Sequence, residues 1–473
     1  MRTVLTGVGL ILAVLLVMAF VPLPATETSI SFTRYLFTGE NDSSKSEWEF
    51  SATYGAALLN LQNTCTDNGE NADNGAAITI KLNDQKFAEA DQPQSITLQT
   101  NNTVQLPTAP EIRQCLLVRV TQTEDVKMHV LSRVHFNTNV SSFTQARKFY
   151  GSLGFETLSG FPDTNTQAMA RAIGIKTPTT YDGSSGDFAG GYLLHGELVG
   201  PKGFGGGVID LIEFTVPRNE SPPYAQQNHL GMTRGVMHTS NLDADVAYFR
   251  SQNIKLGEGP ATRADGSRFI LFSDLDGTQY ELREDPKQSG NDSRNRPNDK
   301  TYISSLGAVA INVSDYTRSS AWYQMLGYEE SRKLPITESA EVARAMGFNE
   351  PWEIVGGEVT QTQGGSTLEL VEWRSPRDLS PPYPLPVNHL GMHRMAFSTS
   401  DIKADVATLR EQGVRFVSPI TPCCSGDDSW GAIIAFFDPD GTVLELVEQP
   451  VMTPLLTLAM RLQSLSQLFE TQP

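Results

Sequence analysis

The chain has 473 residues, of which 39% are hydrophobic and 19% charged, and a formal net charge of -18 at neutral pH. That length is too great for one hydrophobic core and predicts two to four domains. The composition excludes a disordered or fibrous chain, and the acidic balance disfavours nucleic acid and anionic membrane surfaces as partners.

Arg2 precedes the apolar run VLTGVGLILAVLLVMAF, which is followed by VPLPA. A charged start, an apolar middle and a small residue at Ala25 predict a signal peptide over residues 1–25. The mature chain is then secreted or periplasmic, with no membrane span after leader removal. An uncleaved N-terminal anchor is the alternative, although the run is short for a span and ends in proline. Four cysteines suit an oxidising compartment, with a Cys65–Cys115 disulfide expected and Cys423 adjacent to Cys424. No CxxC or Cys/His zinc spacing occurs in the chain.

Residues 30–127 carry short alternating runs such as EWEFSA, AAITIKL, QSITLQT and CLLVRVTQ, separated by Asn, Asp and Gly. They predict an all-β sandwich, with a hairpin turn at NDQKF. No catalytic constellation appears there. A structural or docking module is expected, with a protein or glycan partner as the alternative.

From residue 131 the pattern changes. A strand, LSRVHFNTNV, leads into a helix, FTQARKFYGSLGF, and later come GGVIDLIEFTVP, MTRGVMHTS, DADVAYFRSQNI and RFILFSDLDGTQYELRE. From residue 302 the order recurs as LGAVAINVSDYTRSSAWYQMLGY, GSTLELVEW, MHRMAFSTSD, ADVATLREQGV and AIIAFFDPDGTVLELVEQ. The phrases SPPYAQQNHLGMTRGV and SPPYPLPVNHLGMHRMAF make the duplication plain. Asp-Gly at 276–277 and 440–441 lies between apolar strands and predicts two hairpins. Residues 285–301 read as a linker, and 450–473 as an amphipathic helix docked on the protein.

Each copy divides again into two βαβββ modules. In the phrases ending FYGSLGF or WYQMLGY, and in DPDGTVLELVE, residues 131–284 and 302–449 resemble two tandem domains of the vicinal oxygen chelate superfamily, which includes glyoxalases, bleomycin-resistance proteins and extradiol dioxygenases. The fold class expected is α+β: two cup-shaped domains of paired βαβββ modules after an all-β sandwich.

The resemblance implies a divalent metal held by residues of the first and last strand of each module. Carried over by position, domain 1 offers His135, Asp210 and Glu281 as metal ligands, with Arg234 at the fourth place. Domain 2 offers Ala308, Glu369, Arg394 and Glu445. Arginine stays protonated and cannot ligate a metal, but its guanidinium can bind two carboxylates in the cation's stead. One ion (zinc, nickel, iron or manganese) is therefore implied for domain 1 and none for domain 2. His135 can equally be a satisfied, half-buried histidine.

Ligand-binding candidates are Arg234, His238, Glu369, Arg394 and Glu445. His238 shares strand alternation with Arg234, and His393 should face away from the cup. His229 and His389, in NHLGM, read as loop residues or as part of the cup rim. Three functions are compatible with these residues. The first is a metal-dependent lyase, isomerase or dioxygenase of the glyoxalase type acting through domain 1. The second is a metal-free protein that binds a small polar molecule through the arginines. The third is a scaffold of an exported complex.

Overall fold

The computed structural model describes residues 25–38, 46–51, 55–63, 79–88, 90, 92–99, 101–108, 116–160, 164–175, 192–201, 207–285, 300–423 and 431–449. The expected leader, Cys65, Cys115, Cys424, most of the linker and the helix at 450–473 lie outside them. Among the described residues, no helix is long and apolar enough to cross a membrane. The chain forms two compact units, Thr26–Met128 with Val406–Val414, and the remainder.

The first unit contains β1 (Thr26–Thr38), β2 (Glu47–Ser51), β3 (Gly55–Asn63), β4 (Thr79–Leu82), β5 (Gln85–Ala88), β6 (Gln94–Leu98), β7 (Asn101–Gln105) and β8 (Leu116–Met128). They form two four-stranded sheets, β1-β8-β3-β6 and β2-β7-β4-β5. Alternate residues from both, among them Leu59, Ile80, Leu98, Val104 and Val118, fill one core, as sandwich packing requires. The expected hairpin turns at Asn83 and Asp84, both at positive φ (48° and 67°). These residue types tolerate that conformation. Asn83 also accepts the Thr103 N–H at 2.9 Å and donates to Asn102 Oδ1 at 2.7 Å.

In the second unit, module 1 comprises β9 (Val130–Asn139), α1 (Phe143–Ser152), β10 (Phe155–Gly160), β11 (Thr164–Asn165), α2 (Gln167–Ala172), β12 (Tyr192–Pro201) and β13 (Ile209–Val216). Module 2 comprises β14 (Gly231–Thr239), α3 (Leu242–Ser251), β15 (Ala261–Thr262), β16 (Arg268–Ser273) and β17 (Gln279–Glu284). Module 3 is β18 (Ile303–Asn312), α4 (Tyr316–Gln324), β19 (Tyr328–Lys333), α5 (Ala340–Ala345), β20 (Glu353–Gln361) and β21 (Thr367–Ser375). Module 4 is β22 (Gly391–Thr399), α6 (Ile402–Glu411, which the division into units splits at Val406), β23 (Thr421–Cys423), β24 (Gly431–Phe437) and β25 (Val443–Glu448).

Both cups are present, but their membership differs from the tandem expectation. One sheet runs β10-β12-β13-β9-β22-β25-β24-β23 and joins modules 1 and 4; the other runs β15-β16-β17-β14-β18-β21-β20-β19 and joins modules 2 and 3. We call them the outer and inner cups, after the position of their modules in the chain. Their seams are antiparallel pairs of first strands: β9 with β22, and β14 with β18. The repeats 131–284 and 302–449 therefore each give one module to each cup.

The doubled phrase sits where the copies exchange. Asn139 donates to the carbonyls of Val387 and His389 at 2.6 and 2.9 Å. Asn312 donates to Gln227 and His229, both at 2.7 Å. Each copy's asparagine thus holds the other copy's NHLG loop. Tyr224 and Tyr383, from the two SPPY motifs, stack at 4.8 Å and 10°. Gly231 and Gly391 have φ of 91° and 99°. A Cβ on either would lie 2.9 Å from Pro382 or Pro223 of the opposite copy, so each is fixed by both conformation and close approach.

The Asp-Gly hairpins form as expected, joining β16 to β17 and β24 to β25. Asp274 accepts the N–H groups of Asp276 and Thr278 at 3.0 and 2.8 Å, and Asp438 those of Asp440 and Thr442 at 2.9 and 2.8 Å. The tight turns fold β17 and β25, which carry Glu281 and Glu445, back along β16 and β24, and their other edges pair in parallel with the first strands β14 and β22.

Candidate functional site

The inner cup is closed by ion pairs. Glu281 on β17 meets Arg234 Nε at 2.9 Å, Arg283 Nε at 2.6 Å and Arg263 Nη2 at 3.0 Å. Glu369 on β21 meets Arg234 Nη2 and Arg283 Nη2, both at 2.6 Å. Both oxygens of each carboxylate are engaged. The register explains the convergence: β14 lies beside β17, with Val236 opposite Glu281, and beside β18, with Arg234 opposite Ala310, which itself faces Glu369. Burial drives the Glu281 pKa up, but the guanidiniums of Arg263, Arg283 and Arg234 hold it well below the usual carboxylate range. Glu369 is likewise lowered, against burial, by Arg283 and Arg234.

The outer cup holds the same kind of residues loosely. Its four key positions are His135 on β9, Asp210 on β13, Arg394 on β22 and Glu445 on β25. Arg394 Nη2 lies 3.7 Å from Asp210 Oδ2, and its Nε lies 3.5 Å from Glu445 Oε1. His135 Nε2 lies 3.7 Å from Asp210 Oδ2. These separations exceed hydrogen-bond length. Asn137 Nδ2 donates to Asp210 Oδ2. Among the described residues, six buried polar atoms here have no hydrogen-bond partner: His135 Nδ1, Asn137 Oδ1, Asp210 Oδ1, Arg394 Nε and Nη1, and Glu445 Oε1. Burial lowers the His135 pKa to about 3, helped by Arg394 and Arg133. Burial also raises Asp210 to about 7, against Arg394 and with help from Glu445. Glu445 is raised by burial, with Arg394 opposing.

The expected ligand trio is not assembled. Glu281 belongs to the inner cup, whereas His135 and Asp210 share the outer one, because strand pairing joins module 1 to module 4 rather than to module 2. For the same reason Glu369 faces Arg234, not Arg394. Among the described residues, no group of three His, Cys, Asp or Glu is placed to hold a metal ion. In the outer cup the guanidinium of Arg394 stands between the carboxylates, so its charge opposes a divalent cation there. The residues present do not fit a resident metal in either cup.

The other candidate histidines lie against neighbours of their own. His238 sits against Gly307, where a Cβ would come within 2.1 Å of its ring, and its Nδ1 lies 3.1 Å from Asp285, so it faces Asp285 and not the Arg234 cluster. His229 and His389 pack on Tyr224 and Tyr383 at 4.3 and 4.2 Å in the two NHLG loops. His393 Nε2 is 3.0 Å from Asn139 Nδ2. Arg283, Arg263, Asn137 and Trp352 are additional to the sequence reading. Arg283 was accessible to it, since residues two apart on a strand share a face with Glu281. Arg263 lies in the β15–β16 hairpin, where no periodicity identifies it.

Residues 305–446 match the profile of the Glyoxalase/Bleomycin resistance protein/Dioxygenase superfamily. An uncharacterised protein of Synechocystis sp., slr0090, is 25% identical over 162 residues, spanning 33% of this chain and 42% of that relative. The chain thus covers less than half the length of the curated relative it matches. Among solved structures, glyoxalase I from Zea mays is 15% identical with a TM-score of 0.44, covering 69% of this chain and 95% of that one. A mutant 4-hydroxymandelate synthase from Streptomyces coelicolor is 13% identical with a TM-score of 0.22, covering 71% and 100%.

Proposed function

We propose, on the premise that this chain belongs to the glyoxalase/bleomycin resistance/dioxygenase superfamily through residues 305–446, that its outer cup binds a small, oxygen-rich organic molecule without a metal. Arg394 takes the place of the cation and polarises the ligand's oxygen atoms. Asp210, Glu445, Asn137 and His135 supply the remaining partners. The observation that carries this reading is the set of six buried polar atoms on His135, Asn137, Asp210, Arg394 and Glu445 that make no hydrogen bond among the described residues. Such groups cost free energy unless a ligand or ordered water completes them. Three of the six are acceptors, two are guanidinium donors and one is a ring nitrogen, so the ligand must both donate and accept.

The charge balance narrows the ligand further. His135 is neutral at physiological pH, and Arg394 offsets one carboxylate. Asp210, poised near 7, is ionised or protonated according to what it meets. A neutral or singly charged hydroxy- or oxo-compound suits this balance better than a dianion. We further propose that the chain is exported and that the sandwich docks it to a protein or glycan.

The test is a thermal-shift series on the metal-free mature protein with 2-oxo and 2-hydroxy acids and their neutral esters, run beside Arg394→Met. We expect stabilisation of the wild type by at least one class and loss of that response in the variant. No response to any of them, together with a stoichiometric divalent ion in protein purified without chelator, would overturn the reading in favour of a metal-dependent lyase, isomerase or dioxygenase.

A further inference from the structure

Over the inner cup lies a cleft that the outer-cup reading does not use. The cavity measures about 40 Å³, within a depression of about 500 Å³ that includes open solvent. The cavity itself has room for one small polar group such as a carboxylate, and anything larger would extend into the open depression. Trp352, Trp373, Met346 and Ile354 supply apolar wall, and Arg234, Arg263 and Glu369 line it as well. The wall is rigid: Trp352 and Trp373 pack edge-to-face at 5.6 Å, and Phe348 packs on Trp373 at 4.8 Å.

Two features define what the cleft would take. First, the cluster beneath it joins three guanidiniums, Arg234, Arg263 and Arg283, to two carboxylates, Glu281 and Glu369, which leaves one positive charge over. Arg263 is the most weakly held of the three, with one carboxylate contact at 3.0 Å and its guanidinium 4.0 Å from the Phe269 ring centroid. Second, the lining residues hold two buried polar atoms without a hydrogen-bond partner among the described residues, Arg263 Nε and Trp352 Nε1. Both are donors and neither can accept, so the missing partner is an acceptor. At the mouth, Asp265 is paired with Arg332, and Glu338 accepts the Ala264 N–H at 3.3 Å. Those acids disfavour a multiply charged anion, and the apolar walls give an inorganic one nothing to contact.

We propose that this cleft is a second ligand site, distinct from the outer cup, for a small monocarboxylate with an aromatic or branched apolar body. The carboxylate meets Arg263 and the Trp352 N–H, and the body lies along the tryptophan wall. The inference is independent of the function assigned to Arg394.

Benzoate is the probe, with benzamide as its neutral counterpart and acetate as its truncated one, titrated into the full chain by calorimetry and tryptophan fluorescence. We expect one benzoate per chain, bound at least about tenfold tighter than either comparison compound. Trp352→Phe, which keeps the ring and loses the N–H, should weaken benzoate about fivefold, in line with one lost hydrogen bond. Arg263→Gln should weaken it by more than about tenfold, and Arg394→Ala should leave it unchanged. Equal binding of benzoate and benzamide, no benzoate binding up to about 10 mM, indifference to Trp352→Phe, or loss in Arg394→Ala would each overturn the proposal. Should Arg263→Gln fail to fold, the wild-type comparison and Trp352→Phe decide it alone.

Discussion

The two cups are built from the same four strand positions and nearly the same residue types, yet they solve the burial of charge differently. In the inner cup, Arg283 and Arg263 join Arg234, and every carboxylate oxygen has a partner within 3.0 Å. In the outer cup a single arginine faces Asp210 and Glu445 at 3.7 and 3.5 Å. A buried ion pair offsets its desolvation only when geometry and hydrogen bonding are complete. By that criterion the inner carboxylates are fully engaged, with Arg263 Nε left over, whereas in the outer cup carboxylate and guanidinium atoms alike lack hydrogen bonds among the described residues. Counting charged residues would have missed this; the distances and the unpartnered atoms distinguish them.

The largest test of the contrast removes one carboxylate from each cup. Glu281→Ala leaves three guanidiniums facing Glu369 and should cost on the order of 3–5 kcal/mol in urea unfolding. Glu445→Ala deletes one 3.5 Å contact and should cost less than about 2 kcal/mol. Equal losses would mean that the cups are not different in kind.

Asp210 sharpens the comparison through pH. Its carboxyl is raised to about 7 in the folded chain from an ordinary value of 3.8. Between those values the native state keeps a proton that the unfolded state releases, so this group makes wild-type stability fall as pH rises. Asp210→Asn removes that penalty. Its stability relative to wild type should therefore rise between pH 4 and 7 by on the order of 2–4 kcal/mol, then level off. The lowered Glu281 acts oppositely: its contribution is present above its ordinary pKa and is lost only as pH falls through the depressed folded value. A flat difference for Asp210→Asn across pH 4–7 would show that the outer cup is not desolvated.

The smallest expected effect comes from one substitution made twice. Arg394→His puts an imidazole among His135, Asp210 and Glu445, a donor set that suits zinc. Added zinc should then stabilise that variant by on the order of 1–3 kcal/mol and leave the wild type unmoved. Arg234→His should gain nothing, because Arg283 and Arg263 still occupy both carboxylates. Zinc responses in both variants, or in neither, would break the distinction.

Much of this architecture was legible in the residues alone. Period-two alternation marked the strands, Asp-Gly the hairpins, and the doubled phrase the duplication. The positions of His135, Asp210, Arg394 and Glu445 on first and last strands were readable only through the family resemblance, which implies where such residues sit. What only the tertiary structure decided is which module meets which. All four present a similar first-strand edge, and an alternating pattern specifies a buried face without naming its neighbour. The pairing of module 1 with 4 and 2 with 3 rests on long-range contacts between the copies, such as Asn139 with the Val387–His389 loop and Tyr224 on Tyr383. That choice moved Glu281 and Glu369 into one cup with three arginines, and left His135, Asp210, Arg394 and Glu445 in the other. The sidedness of each strand is a local property of its own residues, whereas the content of each cup depends on partners far away in the chain.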